Sequence, residues 1–169
     1  MSITYRDGTA ADATAIDAIF QTTFCDTFAH LYRPEDLNAF LAKFTPESWV
    51  AELTDRGFAF RVAQVAGKPV GYAKLGPLGL PVEARSPAME LRQLYILKDW
   101  HGAGIARELM DWCLGEAGRR GAAELYLSVY TDNFRARRFY DRYGFELVGP
   151  YAFMVGEQAD EDLIMRLKL

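Results

Sequence analysis

Between Ala10 and His30 the apolar side chains Ile16, Ile19, Phe20, Phe24 and Phe28, with Thr23 among them, recur at three- and four-residue intervals, which predicts a helix with one buried face. The short stretch ITYRD before it, residues 3–7, alternates and predicts a strand. Pro34 opens a second helix. Thr45 followed by Pro46 reads as an N-cap and first helical position, so a third, short helix runs to about Asp55. In FAFRVAQVAGKPVGYAKL two apolar strands flank Ala66-Gly67-Lys68, a hairpin pattern, and MELRQLYIL supplies the next strand.

From Ile105 the period changes again. Ile105, Leu109, Trp112 and Cys113 form a helical stripe that ends near Gly121, a C′ glycine. ELYLSVY is then a strand, NFRARRFYDRY a helix stopped by Gly144, and GFELVGPY and DLIMRLKL are closing strands. A meander followed by strand, helix, strand, helix and strand requires at least one parallel, right-handed crossover. The expected fold is α/β (α+β): a mixed, mostly antiparallel sheet of about six to seven strands flanked by helices, in one domain over residues 1–169. The longest loop-like stretch, residues 76–87, joins elements of that domain.

Composition narrows the function. Half of the 169 residues are hydrophobic and 25% are charged, and no stretch approaches the ~20 uncharged apolar residues of a membrane span. The first residues carry an acid and no basic-then-apolar leader, so no membrane role and a cytoplasmic location are expected. A formal net charge of −4 argues against nucleic acid as a partner, because phosphate backbones call for clustered Lys and Arg. Cys25 and Cys113 lie far apart, as do His30 and His101, so neither a disulfide framework nor a metal site is expected; the cysteines read as apolar filler.

The chemistry concentrates at DWHGAGIARELMDW, residues 99–112. A first helical turn leaves backbone N–H groups without partners and carries the positive end of the helix dipole, so it suits an anion. Side chains there would hold a pyrophosphate off; Gly102, Ala103, Gly104 and Ala106 let it approach the amides. The plainer reading is a tight strand-to-helix turn. No Walker loop exists in the chain, and a dinucleotide motif would need Gly or Ala where Arg107 stands.

HGAGIA at 101–106 resembles the acyl-CoA pyrophosphate loop, Q/R-x-x-G-x-G/A, of the GCN5-related N-acetyltransferase (GNAT) superfamily. The likeness continues through the strand, loop and long helix around it, and through N-x-x-A-x-x-F-Y-x-x-x-G-F from Asn133 to Phe145, covering residues 90–149. It implies a GNAT-like fold, acetyl-CoA as cosubstrate without a metal, and acetyl transfer to a primary amine of a small molecule or peptide by direct attack. It implies that His101, Gly102, Ala103, Gly104, Ile105, Ala106 and Arg107 hold the pyrophosphate. One position departs from the family: His101 replaces the usual Gln or Arg, which alters how one phosphate oxygen is held.

By the same resemblance Tyr140 is the general acid for the CoA sulfur, and Glu90 the general base acting through water. The main chain at Leu94, Tyr95 and Ile96, with Asn133, holds the pantetheine. Each has a plainer alternative: a core tyrosine, an exposed strand-end carboxylate, a helix N-cap. The Arg135, Arg137, Arg138 and Arg142 run reads as a solvated helix face. The first third of the chain is similar to bacterial members of the spermidine/spermine N-acetyltransferase-like branch, with Phe24, Phe28 and Tyr32 along a methylene chain and Asp26, Glu35 and Asp36 at ammonium groups; core aromatics and surface acids are the alternative. A monomer or homodimer is expected. The rival function is a noncatalytic acyl-CoA-binding sensor module.

Overall fold

A computed structural model describes residues 2–169. Seven strands form one sheet: β1 (Ile3–Asp7), β2 (Ala59–Val65), β3 (Lys68–Pro77), β4 (Ala88–Ile96), β5 (Glu124–Tyr130), β6 (Glu146–Val155) and β7 (Gln158–Lys168). Five helices join them: α1 (Ala13–Phe28), α2 (Pro34–Leu41), α3 (Pro46–Leu53), α4 (Ile105–Arg119) and α5 (Phe134–Tyr143). The expected helix over 10–30 is α-helical only in its middle. Ala10–Asp12 and Ala29–Leu31 are tighter 3₁₀ turns, the first closed by Asp12, which accepts from Thr9 N–H and from Arg6. Thr45 caps α3 by accepting from Ser48 N–H at 3.2 Å, and the helix ends at Leu53, slightly short of the expected Asp55.

The strand order is β1-β2-β3-β4-β5-β7-β6. All neighbours are antiparallel except β4 and β5, which α4 connects in parallel. The closing strands are longer than the sequence pattern indicated: β6 and β7 make a hairpin turning at Gly156-Glu157, with β7 inserted between β5 and β6.

The sheet separates two cores. On one face α4 and α5 cover Leu75, Leu91, Leu125 and Leu127 with Ile105, Leu109, Met110 and Cys113. On the other, α1, α2 and α3 pack an aromatic core of Phe20, Phe24, Phe40, Trp49, Phe60 and Tyr72. Trp49 is fully buried and its indole N–H finds Asp17 at 2.9 Å, so its polar edge is satisfied. Beneath it Lys74 Nζ lies 5.1 Å from the ring centroid and 2.9 Å from Glu52.

The sheet is split in its middle, and that split makes the site. β4 and β5 pair only over Ala88–Glu90 and Glu124–Tyr126. There the β3–β4 register skips from Leu75↔Leu91 to Lys74↔Gln93, so Arg92 is an extra residue on β4. A bulge of this kind bends its strand. β4 turns away from β5, and the two ends open a gap between the cores.

Candidate active site

The gap holds a cleft of about 570 Å³. Its mouth is the loop before α4. Gly102 and Gly104 have φ of +81° and +84°, and an added Cβ at either would meet nothing within 4 Å. Glycine is therefore required there by backbone conformation, not by crowding, since L-residues pay about 1–2 kcal/mol in this region. The first bond of α4 runs from Glu108 N–H to the Gly104 carbonyl at 3.2 Å, and none of the N–H groups from Gly102 to Arg107 donates to an acceptor among the described residues. Six successive donors at a positive helix end are thus free for an anion. All of these residues except Ala103 line the cleft.

His101 is held on both sides. Arg135 Nη1 lies 2.6 Å from its Nδ1, and its Nε2 lies 3.0 Å from the Ile96 carbonyl. A guanidinium only donates, so Nδ1 accepts; Nε2 then carries the hydrogen and donates to Ile96. The neutral ring ties the end of β4 to the start of α5. Arg135, Arg138 and Arg142 are exposed, as a solvated helix face requires, and Arg135 and Arg142 also line the cleft. The crossover brings α5 back beside the loop, a placement helix periodicity does not contain.

Leu94, Tyr95 and Ile96 line one wall, and Leu127 to Tyr130 of β5 face them. Asn133 lines the cleft and caps α5, accepting from Ala136 N–H at 3.3 Å. Tyr140 follows on α5 with its ring packed against Phe139 and Phe145, at centroid distances of 5.6 and 5.8 Å. Burial pushes its hydroxyl up to about 12, aided by the neighbouring Cys113, so it keeps its proton near neutrality. Such a hydroxyl can donate to a sulfur as charge develops on it.

Phe24, Phe28 and Tyr32 line the cleft too. They are also core: Phe24 stacks on Tyr32 at 6.0 Å, and Phe28 meets Tyr130 edge-on at 6.0 Å. The acids expected beside them are elsewhere. Asp26 and Glu35 are exposed away from the cleft, and Asp36 is buried, accepting from Arg33 and Glu157 N–H at 3.0 Å each. Two unforeseen carboxylates take their place: Asp160 and Asp162 of β7, both buried and both lining the cleft. The signal was in ADEDLIMRL, where acids occupy alternate positions that continue into Ile164 on the inward face of a strand.

Glu90 is not among the lining residues. It sits under the 78–87 loop and accepts from Gly79 N–H at 2.9 Å; burial raises its pKa, and hydrogen bonds from Gly79 and Leu80 oppose the shift. Among the described residues no three His, Cys, Asp or Glu gather where they could hold a metal ion, and no helix is long and apolar enough to cross a membrane.

Comparison with known proteins agrees with this geometry. The acetyltransferase (GNAT) family profile matches residues 16–145. An uncharacterized N-acetyltransferase of Mycobacterium bovis is 32% identical over 155 residues, 91% of this chain and 96% of its own. The L-amino acid N-acetyltransferase of Escherichia coli is 30% identical over 130 residues, 71% of this chain and 75% of its own. In fold, the chain matches the PaiA N-acetyltransferase of Thermoplasma acidophilum, solved with coenzyme A, with a TM-score of 0.79 and 21% identity over the whole of both chains.

Proposed function

The chain belongs to the acetyltransferase (GNAT) family and is an acetyl-CoA-dependent N-acetyltransferase, and on that premise we propose that it acetylates a primary amine of a small molecule or peptide by direct attack within a ternary complex. The observation that carries this reading is the run of unpartnered amides from Gly102 to Arg107, opening onto a cleft that leads to Tyr140.

The residues present fit the coenzyme. The amides of Gly102 to Arg107 hold the pyrophosphate, Ala103 through its main chain alone. The parted edge of β4 at Leu94, Tyr95 and Ile96 bonds the pantetheine amides, and Asn133 adds a side-chain contact from the head of α5. Tyr140 donates its hydroxyl hydrogen to the departing sulfur; away from water a thiolate is more basic than in solution, which favours that donation. Phe24, Phe28 and Tyr32 form the acceptor wall. For the amine proton two sources of carboxylate exist, Glu90 beneath its loop and the β7 pair in the cleft.

The acceptor belongs to the ammonium-bearing amines, polyamines and amino acids included; the name of the Escherichia coli relative supports testing the latter. A cytoplasmic setting suits this chemistry. The test is thiol release from acetyl-CoA by the purified chain with a panel of polyamines, amino acids, arylalkylamines and peptides. Release with at least one amine is expected. Coenzyme binding by calorimetry without release on any amine would replace this reading with that of a sensor.

A further inference from the structure

Two carboxylates of β7 line the cleft together, and among the described residues only one of them accepts a hydrogen bond. β7 runs between β5 and β6, and strand alternation puts Asp160 and Asp162 on one face. Asp160 is opposite Phe153 of β6; Asp162 is opposite Tyr151 of β6 and Tyr130 of β5. Tyr32 donates its hydroxyl hydrogen to Asp160. Asp162 is only 7% exposed and lines the cleft, yet among the described residues no N–H or O–H donates to it. A carboxylate so nearly buried and without a protein donor has given up most of its hydration with no hydrogen bond in return. A cation arriving through the cleft would restore the balance.

A second observation locates this acid relative to the chemistry. Tyr95 of β4 lines the cleft together with Tyr140 and Asp162; burial disfavours ionisation of its hydroxyl, and those two groups add to this. The gap between β4 and β5 is thus flanked by Tyr140 from the α5 face and by Asp162 from the α1 face. Glu90, by contrast, is committed to the amides of the 78–87 loop.

We propose that Asp162 receives the ammonium group of the acceptor and takes its proton as general base, so that the acceptors are cationic primary amines carried on an apolar or aromatic body. This inference rests on the acetyltransferase reading above. The ammonium gives one proton to the Asp162 carboxylate, which passes it to solvent. The freed nitrogen lone pair forms a bond to the thioester carbonyl carbon, and the carbon–sulfur bond breaks. Tyr140 gives its proton to the sulfur and recovers one from the acylated nitrogen. The sum is amide, free thiol and one released proton. Phe28, Tyr130 and Phe153 set rings around the seat, which suits a cation joined to an apolar body.

The titratable groups around Asp162 are Asp160 on its own strand, Tyr130 on β5, Tyr151 on β6, Tyr95 and Arg92 on β4, and Tyr32 beyond α1. Arg92 is turned to the Pro77 carbonyl at 2.6 and 3.1 Å. Burial first, and the charge of Asp160 second, push Asp162 up to about 7. A base poised there matches proton removal near neutral pH.

The experiment uses the full chain with acetyl-CoA and n-butylamine, 1,4-diaminobutane, 2-phenylethylamine and L-phenylalanine. On the best of these, kcat/KM should rise with pH through a limb near 7. Asp162→Asn should lower it by about 100-fold or more at pH 8 and remove the limb, with the coenzyme Kd unchanged; Glu90→Gln should keep the limb. Wild-type kcat/KM and limb in Asp162→Asn would overturn the inference while leaving the acetyltransferase reading intact. Absence of thiol release from the wild type with every amine would sink both. Independently of turnover, carboxyl NMR of the CoA-bound, Asp-labelled chain should show one resonance titrating near neutrality. It should be missing in Asp162→Asn and moved by 2-phenylethylamine; no movement would overturn the ammonium seat.

Discussion

Arg135 donates to His101 Nδ1 across 2.6 Å, and the same imidazole holds the Ile96 carbonyl at 3.0 Å. One neutral ring therefore locks three parts of the coenzyme site: the end of β4, the amide loop and the first turn of α5. His101→Ala should weaken coenzyme binding about five- to tenfold, the worth of one or two hydrogen bonds. Arg135→Ala should cost a similar factor. Because both changes break the same contact, calorimetry on the double variant should show a loss smaller than the product of the two.

Gly104 combines a positive φ with open space where a side chain would project. Gly104→Ala should lower stability by about 1–2 kcal/mol through backbone strain, measurable as a fall in Tm. Gly104→Glu adds a carboxylate at the anion seat, and its acetyl-CoA Kd should rise about 100-fold beyond that of the alanine variant, since like charge and bulk both bar the phosphates.

Tyr140 is held in the cleft by Phe139 and Phe145 and keeps its hydroxyl hydrogen at neutral pH. Tyr140→Phe preserves this packing and deletes only the donor. Turnover should fall about 100-fold or more, while coenzyme affinity stays within about twofold. An unaltered kcat would remove Tyr140 from the reaction.

Asp162 in the folded chain binds its proton more tightly than in the unfolded chain, up to about 7 against an ordinary value of 3.8. The folded state thus holds more protons between those values, and its stability falls as pH rises through that window. Asp162→Asn removes the penalty. The variant should match the wild type in unfolding free energy near pH 4 and exceed it at pH 8 by on the order of 1–2 kcal/mol once solvent screening is allowed for, which denaturant titration at the two pH values measures.

Lys74 is buried beneath Trp49 with Glu52 as its ionic partner at 2.9 Å, and burial lowers its pKa. Glu52→Gln leaves that cation without its counter-charge and should cost about 3 kcal/mol. Lys74→Met replaces it with an apolar chain of similar length and should be close to neutral. Thermal melts of the two variants distinguish a dependence on the pair from a dependence on packing.

The candidate site was legible in the chain wherever its function lies in the main chain or in consecutive residues. Gly102, Ala103, Gly104 and Ala106 at a helix entrance follow from local pattern, Asn133 and Tyr140 from the family resemblance, and all of them but Ala103 line one cleft. Glu90 comes from the resemblance alone, and in the fold its carboxylate accepts from Gly79 N–H and is not among the residues lining the cleft. Asp160 and Asp162 belong to the last strand, and only its pairing with β5 and β6 turns them to the cleft.

What the sequence by itself determined was the set of elements, their order and the bare amides of the loop, because periodicity, capping and glycine conformation act over a few residues. Tertiary structure alone decided which carboxylates reach the cleft. The insertion of β7 between β5 and β6 sets the faces of Asp160 and Asp162, and the bulge at Arg92 marks where β4 parts from β5. Both depend on pairing between segments distant in the chain, and strand register is a property of the pair, absent from either strand alone.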